Sequence, residues 1–166
     1  MTHVLTKRGL LVGAAALTVS ACSQDISRLA TADAVVVSKS KRELYVVSGG
    51  KSVKSYRVNL GFSPQGHKEK EGDGRTPEGF YFIDRKNPQS DFHLSLGINY
   101  PNATDVARAE AMGVKPGGDI FIHGGPRPKI DKGGPDWTAG CIAVSDREIE
   151  EIYAMVRMGT PVQILT

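Results

Sequence analysis

Residues 120–143 read IFIHGGPRPKIDKGGPDWTAGCIA, and this stretch sets the expected architecture of the chain. It begins as an apolar run that ends at His123, continues as a loop rich in Gly, Pro and Asp, and becomes apolar again after Cys141. A strand, a loop and a second short strand would bring the imidazole and the thiol to one rim of a sheet. A thiol is a weak nucleophile until a base removes its proton, and histidine has a suitable pKa near neutral pH.

The composition suits one globular domain with a core of its own. The chain has 166 residues, of which 40% are hydrophobic, with 21 Lys and Arg against 18 Asp and Glu. Domains of this length bury enough apolar surface to fold alone. Basic residues form no stripe with interleaved aromatic residues, so we expect no nucleic-acid partner.

The first residues indicate export. Lys7 and Arg8 precede an apolar run at 9–19, which is the order of a secretory signal and is shorter than the ~20 residues of a membrane-spanning helix. The run ends Val-Ser-Ala-Cys at 19–22, which resembles a bacterial lipobox, with cleavage before Cys22 and lipid on its thiol. We therefore expect a signal peptide at 1–21, a polar tether at 22–33 and one folded domain at 34–166.

Other interpretations of the leader remain open. If the match to a lipobox is accidental, the segment is either an ordinary secretory signal with an incidental cysteine or an uncleaved helix. If it is a lipobox, the protein is a periplasmic lipoprotein, and Ser23 in place of an Asp favours the outer membrane of a Gram-negative cell.

The expected roles of the two cysteines depend on each other. In an exported protein Cys22 and Cys141 would most simply form a disulfide, but lipidation of Cys22 leaves Cys141 as a lone thiol. A lone thiol is prone to oxidation there, which suggests that it has a function. The sequence has neither HxxxH nor CxxC, so we expect no structural zinc site.

The pattern of apolar residues and turns predicts a mainly β or α+β fold. A doubly wound parallel sheet is disfavoured because strands follow strands without a helix between them. The first three strands form a meander, the third of them half-buried, and Pro161 indicates that the last strand starts at a sheet edge. Ser145 and Glu148 form a capping box for the longer helix, and Thr104 caps the shorter one. The predicted strands are 34–37, 43–48, 52–60, 80–84, 91–98, 120–122, 142–144 and 160–165, with a loop at 61–79 and helices at 104–112 and 146–158.

Cys141 has two interpretations. A lone cysteine is usually a small buried hydrophobic residue. Here Gly140 lets the backbone turn closely before it, so that the N–H groups of Gly140 and Cys141 could hold the oxyanion of a tetrahedral intermediate. On this second interpretation Cys141 is a nucleophile.

His123 is the candidate base, although a histidine after a strand is often only a hydrogen-bonded rim residue. A carbonyl of the Gly124-Gly125 segment that accepts from one ring nitrogen would fix the tautomer and leave the other nitrogen for the thiol. Two other histidines compete: His67, expected to be solvated in a charged loop, and His93, expected to be structural within a strand. Three carboxylates near His123 in sequence have no assigned role, those of Asp119, Asp131 and Asp136.

These residues together carry a resemblance to a known family. Fourteen residues separate His123 from Thr138-Ala139-Gly140-Cys141, and 72–79 read GDGRTPEG. Gly159-Thr160-Pro161-Val162 follows the capped helix. This combination resembles the YkuD-type L,D-transpeptidase catalytic domain, over residues 34–166.

The resemblance implies a fold and a reaction. The fold is a mixed β-sandwich with one long C-terminal helix and one short helix, and the reaction needs no metal and no cofactor. The substrate is a tetrapeptide stem of peptidoglycan, in which Cys141 attacks the carbonyl of the third residue and releases D-Ala. His123 acts as general base, oriented by the carbonyl of Gly124, and the acceptor is an amine of another stem, an amine of a protein, or water. Arg75, Trp137 and Thr138 are the candidate substrate-binding residues.

Two positions depart from the family pattern. Many members have His where this chain has Ala139, and Arg or Asn where it has Ala143. The first change leaves His123 as the expected base, and the second removes a polar group from the pocket. Hydrolysis of stem peptides or cross-links, as by a carboxypeptidase or an amidase, is therefore the alternative activity, and a catalytically inactive wall-binding lipoprotein is a further one.

Overall fold

The computed structural model describes residues 29–127 and 134–166, and within these ranges it has eight strands and two helices. The predicted signal peptide and Cys22 lie outside the described residues, as does most of the predicted tether. The elements are β1 (Ala34–Ser38), β2 (Glu43–Ser48), β3 (Lys51–Arg57), β4 (Gly79–Ser90), β5 (His93–Ile98), α1 (Ala103–Ala111), β6 (Phe121–His123), β7 (Ile142–Ala143), α2 (Asp146–Met155) and β8 (Pro161–Leu165). The strands form one mixed sheet in the order β3-β2-β1-β8-β4-β5-β6-β7.

The N-terminal meander is confirmed. β1 pairs with β2 and β2 with β3, both antiparallel. Alternate residues of β1 and β2 are fully buried, as period-2 patterning requires: Val35, Val37, Leu44 and Val46. The third strand is shorter than predicted, although burial alternates at its end as expected, with Tyr56, Val58 and Leu60 buried. β3 lies at the end of the sheet order, ends at Arg57, and buries only Tyr56.

Strand β4 is longer than predicted because it serves two neighbours. Its first residues pair with β8, and from Ile83 onward it pairs with β5. The chain after β3 then reaches the other end of the sheet order, where Asn59 bridges Ala143 and Gly61 bridges Thr138. The sheet therefore curls around its core, and its last strands face a segment from the N-terminal half.

The last strand is not at an edge, contrary to the prediction from Pro161. β8 lies between β1, to which it is parallel, and β4, to which it is antiparallel. Pro161 is its first residue, opposite Phe82, and the neighbouring ladder bond from the Ile83 N–H goes to the Thr160 carbonyl. Proline is tolerated at the first position of an interior strand because the ladder needs no donor there.

The two helices are similar in length. The cap of α2 was predicted correctly, and the cap of α1 was not. The Ser145–Glu148 capping box of α2 is confirmed, but the helix ends at Met155 because Val156 is extended and fully buried. The predicted cap of α1 was wrong: Asn102 Oδ1 accepts from the N–H groups of Thr104 and Asp105. Among the described residues, no helix is both long and apolar enough to cross a membrane. The fold is α+β, as predicted.

Candidate active site

His123 and Cys141 lie at the same rim of the sheet. His123 ends β6, Cys141 directly precedes β7, and the two strands are parallel with Ile122 opposite Ile142. Cys141 is therefore level with Phe121, and side-chain alternation points Phe121 and His123 to the same side, roughly 7 Å apart along the strand. Both His123 and Cys141 line a pocket of about 330 Å³. The loop that joins them in sequence returns the chain to the same place.

The Cys141 side chain is a free, partly buried thiol held by backbone groups. Its Sγ accepts from the Phe121 N–H and donates to the Asp119 carbonyl, each at 3.4 Å. Burial raises the pKa of the thiol, the Phe121 N–H opposes that rise, and the Asp119 carboxylate adds to it while Lys68 opposes it. Together these groups raise the pKa of the Cys141 thiol. The resting thiol is therefore neutral, and a base is needed to form the thiolate.

The His123 ring is held in place through its Nδ1 atom. The ring is buried, with 4% of the residue exposed, and Nδ1 lies 2.6 Å from the Gly124 carbonyl. A carbonyl only accepts, so Nδ1 carries the proton and Nε2 is the basic nitrogen of the neutral ring. Phe92 and Trp137 flank the ring at 4.4 and 5.7 Å between centroids. The Gly124 contact expected for the base is present.

Gly124 sits where no larger residue fits. A Cβ on it would lie 2.5 Å from Asp146 Oδ1 and 2.8 Å from the Phe92 carbonyl. The Gly124 N–H donates to the Phe92 carbonyl at 3.1 Å, and the next N–H, of Gly125, donates to Asp146 Oδ1 at 3.0 Å. The backbone that orients His123 is thus fixed between β5 and the first residue of α2.

The turn before Cys141 is closed by Thr138. Its Oγ1 donates to the Cys141 carbonyl at 2.7 Å and accepts from the Gly140 N–H at 3.1 Å. Thr138 is buried, so its hydroxyl supports the turn from within. In this state the Gly140 N–H is bonded to that hydroxyl. The oxyanion role of Gly140 and Cys141, and a substrate contact by Thr138, stay predictions.

The other two candidate binding residues occupy different places. Arg75 pairs with Glu69 at 3.0 Å and does not line the pocket, but its carbonyl packs against Gly140, where a Cβ would lie 2.7 Å away. Trp137 is half-buried beside His123 and Phe92. Arg75 therefore contacts the site through its backbone in this state, whereas Trp137 packs against His123 and, like Arg75, is not among the residues that line the pocket. Substrate contacts by their side chains stay predictions.

The loop at 61–79 is built around Asp73. Its carboxylate accepts from the N–H groups of Glu69, Lys70 and Arg75 and from Lys68 Nζ, at 2.8–3.0 Å. Burial alone would raise the pKa of Asp73, but the Lys68 ammonium and the three N–H groups outweigh it and lower the pKa to about 2. This loop supports the Cys141 turn through the packing of Arg75 on Gly140.

The competing histidines lie away from the pocket. His67 was predicted to be solvated, which was wrong: its side chain is 15% exposed, with Nε2 3.3 Å from Asp105 Oδ1 of α1. His93 begins β5 and pairs with Glu150 at 2.7 Å on the surface. Neither is among the residues that line the pocket with Cys141.

The carboxylates near His123 in sequence have structural partners. Asp119 pairs with Arg85, and Asp136 binds Arg42 and the Leu60 N–H. Asp131 lies outside the described residues. Of the residues that the structure describes, no group of three or more His, Cys, Asp or Glu could hold a metal ion.

Sequence reasoning missed one wall of the pocket. The end of β4 and the turn into β5 supply Asn87, Gln89, Ser90, Asp91 and Phe92, and β5 supplies Ser95. The only signal was a polar run with a proline, at 87–91, between two apolar strands. It was not recognised because the predicted strand ended at residue 84, six residues before the observed end of β4.

The sequence and the fold have counterparts among known proteins. The sequence model of the YkuD family, the L,D-transpeptidase catalytic domain, matches residues 32–164. The chain is 30% identical over 118 residues to YafK, an Escherichia coli K12 protein named as an L,D-transpeptidase, and the match covers 69% of this chain and 42% of YafK.

Two solved structures are similar to this chain in fold. The helical cell shape determining protein Pgp2 from Campylobacter jejuni is similar with a TM-score of 0.62 and 28% identity, over 78% of this chain and 46% of Pgp2. L,D-transpeptidase 1 of Mycobacterium tuberculosis shares the fold with a TM-score of 0.52 and 14% identity, over 80% of this chain and 61% of that one. The chain thus spans less than half the length of YafK and of Pgp2.

Proposed function

Because the chain belongs to the L,D-transpeptidase catalytic domain family, we propose that it is a thiol acyltransferase that acts on peptidoglycan stem peptides. The observation that carries the proposal is the pocket shared by Cys141 and His123, with His123 Nδ1 bonded to the Gly124 carbonyl. A nucleophile, a base and a group that orients the base are the three parts that covalent catalysis by a thiol requires.

The first half-reaction forms a thioester. Cys141 Sγ adds to the carbonyl carbon of the third stem residue, usually meso-diaminopimelate, while His123 Nε2 takes the thiol proton. The C–N bond to the terminal D-Ala then breaks, and His123 returns the proton to the leaving amine. Backbone N–H groups at Gly140 and Cys141 stabilise the intermediate oxyanion once the Gly140 N–H leaves or shares its bond to Thr138.

The second half-reaction regenerates the thiol. An acceptor amine, on a second stem or on a protein, loses a proton to His123 and attacks the thioester carbonyl. The C–S bond breaks, and the sulfur recovers a proton. Water in place of the amine gives hydrolysis, and the buried methyl of Ala143 leaves no polar side chain at that position to bind an acceptor. A carboxypeptidase or amidase is therefore the second candidate.

Muropeptides distinguish these activities. The full chain, purified in detergent, is incubated with tetrapeptide muropeptides, and the products are analysed by mass spectrometry beside a Cys141→Ala control. Cross-linked dimers support transfer, and tripeptide without dimers supports hydrolysis. Substrate that stays unchanged with the wild-type protein and with the control contradicts the enzymatic proposal and favours a wall-binding role.

A covalent inhibitor provides a second test of the nucleophile. A carbapenem carries an acylating β-lactam carbonyl, so we expect one adduct on the peptide that contains Cys141. The His123→Gln variant, which keeps the thiol but loses the base, should acylate at least 100-fold more slowly, the lower end of a general-base effect. Acylation at equal rates in both proteins would remove His123 from the mechanism.

We also propose that the protein is exported and held at a membrane by lipid on Cys22. The support is the order of basic, apolar and small residues at 7–22. Cys22→Ser should release the protein from the membrane fraction of cells, whereas Ser23→Ala should not. A Cys22→Ser protein that stays with the membranes contradicts the lipid anchor.

A further inference from the structure

One peptide unit beside the base is held from both sides. The carbonyl of the Gly124–Gly125 peptide accepts from His123 Nδ1 at 2.6 Å, and the N–H of the same peptide donates to Asp146 Oδ1 at 3.0 Å. The carboxylate, the peptide and the imidazole therefore form one continuous chain of hydrogen bonds. Bonds linked in this way polarise one another, so a charge at one end affects the other.

The carboxylate at the end of this chain is itself fixed. Asp146 is the first residue of α2, directly after the Ser145 cap, and helix N-termini favour negative charge. Arg127 binds both of its oxygens, with Nη2 2.9 Å from Oδ1 and Nη1 3.0 Å from Oδ2. Slight burial of Asp146 raises its pKa, but Arg127 and the Gly125 N–H outweigh this and lower it, so the group is ionised at neutral pH.

We propose that Asp146 is a positioning residue for the base, acting on His123 through the Gly124–Gly125 peptide. It takes the place that a carboxylate bonded directly to histidine has in a catalytic triad. The inference rests on the proposed function only in taking His123 as the base. Asp146 keeps the peptide turned so that its carbonyl faces Nδ1, and its negative charge favours the imidazolium that forms when Cys141 loses its proton.

Within the described ranges 29–127 and 134–166, Asp146 is the carboxylate bonded to this peptide. Phe92 and Trp137, which flank the His123 ring, are uncharged. Arg127 partly offsets the charge of Asp146, and His93, which pairs with Glu150, adds a weaker positive influence when protonated. We therefore expect Arg127 to determine how strongly the Asp146 carboxylate stabilises a protonated His123 ring.

The test compares three variants of the full chain. Asp146→Asn removes the charge but keeps an oxygen that accepts from Gly125, and Asp146→Ala removes both. Glu148→Gln is the matched control: it removes a charge from the same first turn, keeps a capping-box residue, and leaves the peptide untouched. Histidine is labelled with ¹⁵N, and the His123 signal is identified by its loss in His123→Gln.

The expected results separate charge from position. Asp146→Asn should lower the His123 titration midpoint by roughly 0.5–1 pH unit, the size expected of one lost charge at this separation. Alkylation of Cys141 by iodoacetamide at pH 7 should slow by about 3- to 10-fold, the same shift expressed as a rate. Asp146→Ala should in addition lose the Nδ1-protonated tautomer inferred for the wild type from the Gly124 carbonyl contact. Glu148→Gln should change none of these.

Arg127→Gln gives a change of opposite sign, because it leaves the carboxylate unopposed: the His123 midpoint should rise and alkylation should quicken. Equal midpoints in Asp146→Asn and Glu148→Gln, or an unchanged tautomer in Asp146→Ala, would overturn the proposal. Neither readout needs a substrate. A protein that shows these shifts but leaves muropeptides unchanged would refute the proposed function and not the role of Asp146.

Discussion

At the scale of single residues, the site depends on glycines that are required by contact. Gly124 lies against Asp146 and Phe92, and Gly140 lies against the carbonyl of Arg75. In each case the neighbour is backbone or a bonded carboxylate, which has little freedom to move away. His123 and Cys141 are therefore each next to a position where the chain has no room for a side chain.

Gly124→Ala should destabilise the fold and displace His123. Its Cβ would lie 2.5 Å from Asp146 Oδ1, so the first turn of α2 or the peptide of Gly124 must shift. Overpacking of this kind costs about 1–3 kcal/mol of unfolding free energy, measurable by urea denaturation. Gly118→Ala is the control, since its Cβ would meet only Pro101, at 3.9 Å, and we expect a change within about 0.5 kcal/mol. Equal effects would contradict the steric argument.

His123 and Cys141 could be predicted as a pair because His123 ends one apolar run and Cys141 directly precedes the next, and strand ends meet at rims. The side-chain directions of Thr138 and Arg75 could not. Thr138 turns inward to bond the Cys141 carbonyl, and Arg75 turns toward Glu69. Such directions follow from packing against residues distant in sequence, which a local pattern does not contain.

At the scale of elements, the caps separate what local sequence decides from what it leaves open. Ser145 and Glu148 form a reciprocal box, and the pattern predicted it. For α1 two capping residues stand two positions apart, and both fit the general preference. The structure selects Asn102 because Asp105, three residues on, returns a bond to the Asn102 N–H.

Asn102→Ala should therefore cost more stability than Thr104→Ala. Asn102→Ala removes the side-chain oxygen that accepts from the N–H groups of Thr104 and Asp105. The loss of such a cap costs about 0.5–2 kcal/mol of unfolding free energy. Thr104 is exposed within the first turn, and its change to alanine, a better helix former, should be neutral or slightly stabilising. Thermal unfolding of both variants measures the difference, and a larger loss for Thr104→Ala would contradict the assigned cap.

The loop at 61–79 should make stability depend on acid through Asp73. Its folded pKa, about 2, lies below the unfolded value of ~3.9. The carboxylate therefore stabilises the fold fully above about pH 5, and this contribution is lost as the pH falls toward 2. Its size is about 2 kcal/mol. Asp73→Asn should be less stable by that amount at pH 6 and converge with the wild type near pH 2.

Urea denaturation at several pH values measures this convergence. The control is Glu71→Gln, an exposed carboxylate in the same loop, for which the difference from the wild type should stay within about 0.5 kcal/mol at every pH. A constant difference between Asp73→Asn and the wild type from pH 6 to pH 2 would mean that the charge of Asp73 does not stabilise the loop.

At the scale of the whole molecule, the order of the strands was the least predictable feature. Apolar alternation and turns located most strands, and the meander followed from short connections. The position of β8 between β1 and β4 did not, because its partners are encoded far from it along the chain. Pro161 even favoured an edge, since a local rule about proline does not distinguish the first residue of an interior strand from an edge strand.

Ile164→Ala should destabilise the entire domain. Ile164 is 2% exposed in the strand that joins the two parts of the sheet, and truncation of a buried isoleucine costs about 2–5 kcal/mol. Gln163→Ala, on the exposed face of the same strand, should cost less than 1 kcal/mol. Both variants are compared by urea denaturation monitored at Trp137. A loss of stability confined to the C-terminal segment would contradict the central role of β8.

The interior position of β8 also affects the order of events during synthesis. The ribosome makes β1 first and β8 after all other strands of the described chain, yet β1 and β4 are neighbours only through β8. The sheet therefore cannot close until residue 165 has been translated, and the parallel β1–β8 pairing spans most of the chain, which slows folding. A chain whose folding is delayed in this way stays unfolded long enough to pass through a translocation channel, as the proposed export requires.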